Sequence, residues 1–148
     1  PYETSIPDAW SRLLAWHDKC GLGSPAGRGY GLARDNPERV GHDKCRYDAC
    51  IEANPLIEER ALRELGLITL PGGSYTRMRQ ATSYDSLRAI VSGLHAEFEA
   101  PRDLKLDERR PIVTIYLDDP RRTDDAKLRA DVCVPVAAQR SSRDQEAA

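Results

Sequence analysis

The sequence contains few cysteines, no long apolar run and no excess of charge of either sign. Its four cysteines in 148 residues include no Cys-x-x-Cys pair, so neither a disulfide scaffold nor a zinc ribbon is expected. No apolar run approaches the roughly 20 residues that cross a bilayer, which argues against a membrane protein. The formal net charge of -2 argues against a generically basic protein that binds nucleic acid. We therefore expect a cytoplasmic domain with reduced thiols and no membrane contact.

Motifs of common enzyme classes are also missing. The glycine-rich stretch at 21–27 follows a predicted helix and contains Pro25, whereas a dinucleotide-binding loop follows a strand, so we expect a connecting loop. No Gly-x-Ser-x-Gly motif is present. His42 and Cys45 form one His-x-x-Cys pair without the second pair that a tetrahedral zinc site needs. We predict no catalytic residue, no metal site and no cofactor.

The sequence repeats itself at an offset of 83 residues. Residues 35–51 align without a gap to residues 118–134, and seven of the 17 aligned positions are identical. Unrelated sequences of average composition would share about one. The repeat therefore predicts two copies of one structural unit.

Each copy is predicted to contain one long helix. Apolar residues recur at helical spacing over about 7–20 and 84–99. Ser5 is a candidate N-cap of the first helix, with Pro7 in its first turn. Ser83 or Asp85 is a candidate cap of the second helix.

Strands are predicted where polar and apolar residues alternate or where β-branched and aromatic residues concentrate. The predicted strands are Tyr30–Arg34, Lys44–Glu52, Leu67–Leu70, Tyr75–Arg79, Ile112–Leu117 and Lys127–Val136. Two of them carry charges at alternate positions, 44/46/48 and 127/129/131. These charges predict a structural ladder of ion pairs that crosses from one copy to the other, and the weaker alternative is a surface that binds phosphate or an acidic ligand.

The elements divide the chain into module one (1–54), a linker (55–66), module two (67–137) and a disordered tail (138–148). Module two has a leading strand before its helix, and module one lacks the corresponding residues. Because the chain also starts at Pro1 instead of Met, we expect it to be a piece of a longer product.

Several segments together resemble the GyrI-like family, the effector-binding domain of AraC-type and MerR-type bacterial regulators. Pro1-Tyr2 and the following helix are similar to the family's first turn and helix, and Leu70–Tyr75 is similar to the start of its second repeat. Ile115–Pro120 and Lys127–Pro135 resemble its closing signature. The resemblance covers residues 1–137.

The resemblance implies an α+β fold made of two βαββ modules related by a pseudo-twofold axis. Their strands would form a curved antiparallel sheet with both helices on one face and a central cleft. In that cleft the family binds small molecules, so we expect a small aromatic or amphipathic ligand. The candidate ligand-binding residues are Trp16, Tyr47, Tyr75, Thr114, Tyr116, Trp10 and Tyr2. Each could instead belong to the core, and this alternative is stronger for Trp10 than for Tyr116.

Thr114 stands where family members often carry a cleft glutamate, two residues before the tyrosine of the closing signature. This departure argues against cation recognition and against hydrolysis by that acid, unless Glu52 or Glu3 substitutes. The resemblance implies the sensing part of an AraC-type regulator, which would contact DNA only through an upstream helix-turn-helix domain and could form a homodimer. The alternatives are a cleft hydrolase of reactive small molecules and a stand-alone protein-binding module similar to gyrase inhibitors.

Overall fold

The computed structural model of the chain describes residues 1–21, 28–52, 59 and 63–139. Within these residues the fold is mixed α+β, with an open six-stranded antiparallel sheet. The helices are α1 (Tyr2–Lys19), α2 (Pro37–Val40) and α3 (Tyr84–Glu97). The strands are β1 (Gly29–Ala33), β2 (Tyr47–Ile51), β3 (Tyr75–Ala81), β4 (Leu104–Leu106), β5 (Ile112–Tyr116) and β6 (Arg129–Ala138).

The strand order is β2-β1-β5-β6-β3, and β4 pairs with the C-terminal end of β6. The middle of the sheet is the pairing of β1 with β5, in which Gly31 lies opposite Thr114. On its other side Gly31 lies opposite Ala49 of β2, and Thr114 lies opposite Val132 of β6. Side chains opposite one another share a face of the sheet, so these four positions face the same way.

The core forms where the apolar stripes of α1 and α3 pack on that face of the sheet. Ile6 from α1 and Leu87, Val91 and Leu94 from α3 are at least nine-tenths buried. The strands contribute Ala33, Ile112, Ala130, Val132 and Val134 to the same cluster. Burying each large side chain contributes about 1.5–3 kcal/mol, so this layer holds both helices on the sheet.

Helix α3 and strands β5 and β6 confirm the sequence predictions. α3 begins after Ser83, whose side chain accepts a hydrogen bond from the backbone N–H of Ser86. The predicted strands Ile112–Leu117 and Lys127–Val136 correspond to β5 and β6 within two residues at each end. The alternating sequence identified β6, whereas β5 was identified by its β-branched and aromatic residues.

The predicted start of the first helix is wrong. α1 begins at Tyr2, so Ser5 is not its cap and Pro7 lies in the second turn. A proline in the second turn removes one backbone hydrogen bond of the helix, whereas in the first turn it would remove none. For that reason Pro7 indicated a later start of the helix than the one observed. Burial of Tyr2 offsets this loss, because the side chain is 1% exposed and its hydroxyl donates to the backbone carbonyl of Asp35 at 2.6 Å.

The predicted strand Leu67–Leu70 is also wrong, because these residues form no strand. Leu67 and Ile68 are 42% and 50% exposed, and no described strand pairs with them. Short β4, in contrast, has only three residues and too little pattern to be predicted.

Three predicted segments lie mostly outside the described residues. Of the connecting loop at 21–27 only Gly21 is described, and of the linker 55–66 only residues 59 and 63–66. Of the predicted tail, Ala138 belongs to β6 and the N–H of Gln139 donates to the carbonyl of Asp103. None of the described helices combines the length and hydropathy needed to cross a bilayer.

Candidate functional site

A cleft opens between the N-terminal halves of α1 and α3, above the ends of β1 and β5. We call it the interhelical cleft; it encloses about 300 Å³. Its apolar lining includes Ile6, Trp10 and Leu14 from α1, Tyr84 from α3 and Tyr116 from β5.

Three aromatic rings form one wall of the interhelical cleft. The ring of Tyr116 meets that of Trp10 edge-to-face at 5.2 Å between centroids, and that of Tyr84 at 4.9 Å. Gly29 lies opposite Tyr116 in the sheet and makes room for this wall. A Cβ atom at Gly29 would lie 2.8 Å from Cη2 of Trp10, closer than carbon atoms approach.

A chain of hydroxyl groups lies behind the aromatic wall. The indole N–H of Trp10 donates to the hydroxyl of Tyr47 at 3.0 Å, and this hydroxyl lies 3.2 Å from that of Tyr116. Gly31 leaves the space for it, since a Cβ atom there would be 2.0 Å from the Tyr47 oxygen. Burial raises the pKa of Tyr47 and of Tyr116, so both hydroxyls are uncharged at neutral pH.

The rim of the interhelical cleft carries charges of both signs. Among the described residues, its carboxylates are those of Asp85, Asp118 and Asp119, and each is bonded to an arginine. Their partners are respectively Arg88, Arg129 and Arg121. The Arg129 guanidinium lowers the pKa of Asp118, so this carboxylate stays ionised. Arg28 also lines the cleft, just before β1.

Tyr84 connects the wall to the rim. Its hydroxyl donates to the backbone carbonyl of Asp118 at 2.9 Å and accepts from the N–H of the same residue at 3.2 Å. Burial raises the pKa of Tyr84 to about 12, so this hydroxyl is also uncharged. The tyrosine therefore fixes the first turn of α3 to the chain that follows β5.

The structure brings some of the predicted ligand-binding residues together. Trp10 and Tyr116 line the interhelical cleft, and Tyr47 bonds to both of them from behind. Trp16 and Tyr47 line a second, wider hollow of about 760 Å³, which we call the edge hollow. It lies between α1, the edge strand β2 and residues 65–70.

The other predicted residues lie away from both cavities. Tyr2 is in the core, and Thr114 is 1% exposed in the middle of the sheet. Tyr75 lies at the start of β3, where its hydroxyl donates to the carbonyl of Pro71 at 2.8 Å and its ring lies under the guanidinium of Arg110. These contacts tie Tyr75 into the turn before β3.

Neither glutamate considered as a substitute acid lines the interhelical cleft. Glu52 borders the edge hollow and accepts a hydrogen bond from the hydroxyl of Tyr30 at 3.1 Å. Glu3 lies exposed in the first turn of α1. Among the described residues, no three His, Cys, Asp or Glu side chains are placed to hold a metal ion.

Sequence reasoning missed Tyr84, Arg28, Arg88 and Gly29 as cleft residues. Tyr84 had a usable signal, because it is an aromatic residue at the start of a correctly predicted helix. The arginines and the glycine had none, since only the pairing of β1 with β5 and the packing of the helices bring them together.

The comparisons with known proteins bear on this geometry. The model of the GyrI-like small molecule binding domain family matches residues 1–137. No curated protein gives a significant match to the chain.

Proposed function

The chain belongs to the GyrI-like family of small-molecule-binding domains, and on that premise we propose that it binds a small aromatic or amphipathic molecule in the interhelical cleft. The observation that carries the proposal is the wall formed by Trp10, Tyr84 and Tyr116. Small-molecule sites combine such apolar, aromatic walls with a few polar groups. The volume of about 300 Å³ is at the lower end for such sites and favours a ligand with one or two rings.

We further propose that this binding serves as the sensing step of an AraC-type transcriptional regulator in the cytoplasm. DNA contact would belong to a separate helix-turn-helix domain, and two copies of the regulator would act as a homodimer. The free thiols of Cys20, Cys45, Cys50 and Cys133 support a reducing compartment.

The two halves are proposed to be copies related by a pseudo-twofold axis. The strand register supports this proposal. Gly31 lies opposite Ala49 in the pairing of β1 with β2, and the residues 83 positions later, Thr114 and Val132, lie opposite one another in the pairing of β5 with β6. The axis would pass between Gly31 and Thr114, which lie opposite one another and occupy corresponding positions in the two copies.

Binding without chemistry is the role that we propose for the cleft. General acid–base catalysis needs a carboxyl group whose pKa is near the working pH and which is free to reach the substrate. The carboxylate of Asp118 is bonded to Arg129, and its pKa is lowered. The position of Thr114 inside the sheet supports the same proposal.

Ligand binding can be tested by fluorescence, because the chain has only two tryptophans. In a Trp16→Phe variant the remaining tryptophan, Trp10, reports on the interhelical cleft. We expect 2-naphthol or a related neutral aromatic probe to quench or shift this fluorescence and to raise the unfolding temperature.

The matched pair of variants is Tyr116→Leu and Tyr75→Leu, one within the cleft wall and one outside it. Tyr116→Leu is expected to weaken probe binding about tenfold, because it removes a ring that stacks on the ligand. Tyr75→Leu should leave the affinity unchanged. If no member of a broad panel of aromatic probes binds, the cleft is not a small-molecule site.

A further inference from the structure

We propose that the outer edge of β2 binds an extended segment of a partner polypeptide, which adds a strand to the sheet and places an arginine opposite Asp48. In the part of the chain that the structure describes, no strand pairs with this side of β2. The chemistry of the bound segment follows from the other half of the molecule, in which the corresponding strand has a neighbour on both sides. Ligand binding in the interhelical cleft is not required for this interaction.

Strand β2 corresponds to β6 at the offset of 83 residues. Each of them pairs on one side with a middle strand of the sheet, β2 with β1 and β6 with β5. On its other side β6 pairs with β3, and Arg79 of β3 lies opposite Asp131. The residue 83 positions before Asp131 is Asp48. A strand beside β2 in the matching register would therefore carry its arginine opposite Asp48.

The two aspartates differ in how far they are covered. The side chain of Asp131 is 6% exposed and binds Arg79 of the neighbouring strand. The side chain of Asp48 is 45% exposed and binds Arg34, which follows β1. The charges of two further arginines also act on Asp131, so an aspartate at this position can serve more than one guanidinium. An arginine on an added strand can therefore bind Asp48 beside Arg34.

Alternate residues of β2 turn their backbone groups toward the open edge. The N–H of Arg34 donates to the carbonyl of Arg46, so every second residue from Arg46 onward bonds to β1. The backbone groups that point outward belong to Tyr47, Ala49 and Ile51. The corresponding residues of β6 bond to β3, since the N–H of Thr82 donates to the carbonyl of Leu128 and the same alternation follows.

The edge hollow runs along this side of β2. It contacts residues from both faces of the sheet, since Ala49 faces the helices and Cys50 faces away from them. The opposite wall includes Leu67 and Ile68, which are 42% and 50% exposed and would be covered by a bound strand. Open edges are commonly protected by lysine or proline, and β2 contains neither. The edge is therefore suited to the addition of a strand.

A peptide with the sequence of residues 74–82, which span β3, tests this inference. We expect it to bind the 148-residue chain and to slow hydrogen exchange at the outward amides of β2, those of Tyr47, Ala49 and Ile51. The amides of Asp48 and Cys50 should change little, because they already bond to β1. NMR resolves these amides individually, and the alternation distinguishes strand pairing from attachment to the apolar wall of the edge hollow.

Two altered peptides of equal net charge test the register. Arg79→Glu places a carboxylate opposite Asp48 and is expected to weaken binding about tenfold. Arg77→Glu is the matched control, because its side chain would lie opposite Cys50, two positions along the strand. It should weaken binding less.

Exchanging the charges should invert the preference. We expect Asp48→Lys to bind the Arg79→Glu peptide more tightly than the unaltered peptide. Glu99→Lys is the matched control, since Glu99 is exposed after α3 and does not line the edge hollow. It should leave the preference unchanged. Should Asp48→Lys fail to fold, the ranking of the peptides on the unaltered chain decides the question.

Four results would overturn the inference, and each leaves the proposed function of the interhelical cleft untouched. The first is that the unaltered peptide does not bind, and the second is that the Arg79→Glu and Arg77→Glu peptides bind equally. The third is slowed exchange along β6 instead of β2, which would mean that the peptide replaces β3. The fourth is protection of the outward amides of β2 without peptide, because a second copy or another segment of the chain would then occupy the edge.

Discussion

Both long helices begin at a tyrosine that is held by an aspartate just beyond the end of a strand. Tyr2 donates to the carbonyl of Asp35 and accepts from its N–H, and Tyr84 makes the same two bonds with Asp118. The aspartate carboxylates then bind an arginine at the start of the next strand, through its backbone N–H and guanidinium. We call Tyr2, Asp35 and Arg46 the first clamp, and Tyr84, Asp118 and Arg129 the second.

The two clamps differ in what surrounds the tyrosine. Tyr2 is 1% exposed in the core, with its ring 6.5 Å from that of Tyr47. Tyr84 is half-buried, with its ring 4.9 Å from that of Tyr116 in the wall of the interhelical cleft. The same backbone anchor therefore supports the core in one half and a candidate binding site in the other.

A second contrast concerns the aspartates of β2 and β6. Asp48 pairs with Arg34, which follows β1, whereas Asp131 pairs with Arg79 of β3. β2 is at the edge of the described sheet, so no neighbouring strand on its outer side can supply an arginine to Asp48. Its partner Arg34 instead follows β1, the strand on the inner side of β2. These ion pairs lie within each half, and the predicted ladder between the copies is therefore wrong.

Removing the tyrosine ring of each clamp should change the free energy of unfolding more than the other substitutions do, and it should also show the largest difference between the two clamps. Tyr2→Ala is expected to lower the free energy of unfolding by about 4 kcal/mol, since it empties a fully buried site. Tyr84→Ala should cost about half as much, because water already reaches part of that side chain. Urea unfolding at neutral pH measures both, and equal losses would mean that the cleft side is as tightly packed as the core.

Neutralising each aspartate should instead give matching effects. Asp35→Asn and Asp118→Asn both remove the charge that binds an arginine in nearly the same geometry. Each is expected to lower the free energy of unfolding by about 1 kcal/mol, because both guanidinium partners are more than half exposed and screened by solvent. A clear inequality between the two variants would show that the clamps are not energetically equivalent.

Acidification should give the smallest effect. Hydrogen bonds from Arg46 and Arg129 lower the pKa of Asp35 and Asp118. A carboxyl whose pKa is lower in the folded state stabilises the fold above its unfolded pKa of about 4, and this stabilisation is lost as pH falls below that value.

Urea unfolding between pH 7 and pH 3 would measure this loss. In Asp118→Asn the loss of stability between pH 7 and pH 3 should be smaller, because one of the two carboxyl groups no longer titrates. Asp35→Asn should reduce this loss by the same amount. If the stability of the unaltered chain stays constant down to pH 3, the lowered pKa values do not contribute to folding.

Much of the sheet could be predicted from sequence because its strands obey a simple rule. Residues of β6 alternate between a face packed on the helices and a less buried one, and β5 is β-branched and aromatic. The start of α1 could not be predicted, because it depends on the long-range contact between Tyr2 and Asp35. Leu67–Leu70 has the composition of a strand but pairs with none of the strands that the structure describes.

The candidate site was predictable only in part. Trp10 and Tyr116 stand out as aromatic residues within motifs, and both line the interhelical cleft. Arg28 and Gly29 belong to no motif and become neighbours of the wall only when β1 pairs with β5. A glycine that makes room for an indole ring leaves no local sign in the sequence, because the ring comes from another element.

The pairing of β1 with β5 has a mechanical consequence for how a ligand could be sensed. Five residue pairs join the two halves through the middle of one sheet. Rotating one half against the other would stretch this ladder, whereas sliding α1 or α3 over the sheet breaks none of its hydrogen bonds. The sheet is thus the stiff frame, and because a tyrosine clamps the first turn of each helix, any shift of α1 or α3 against the sheet is easier toward the other end of the helix.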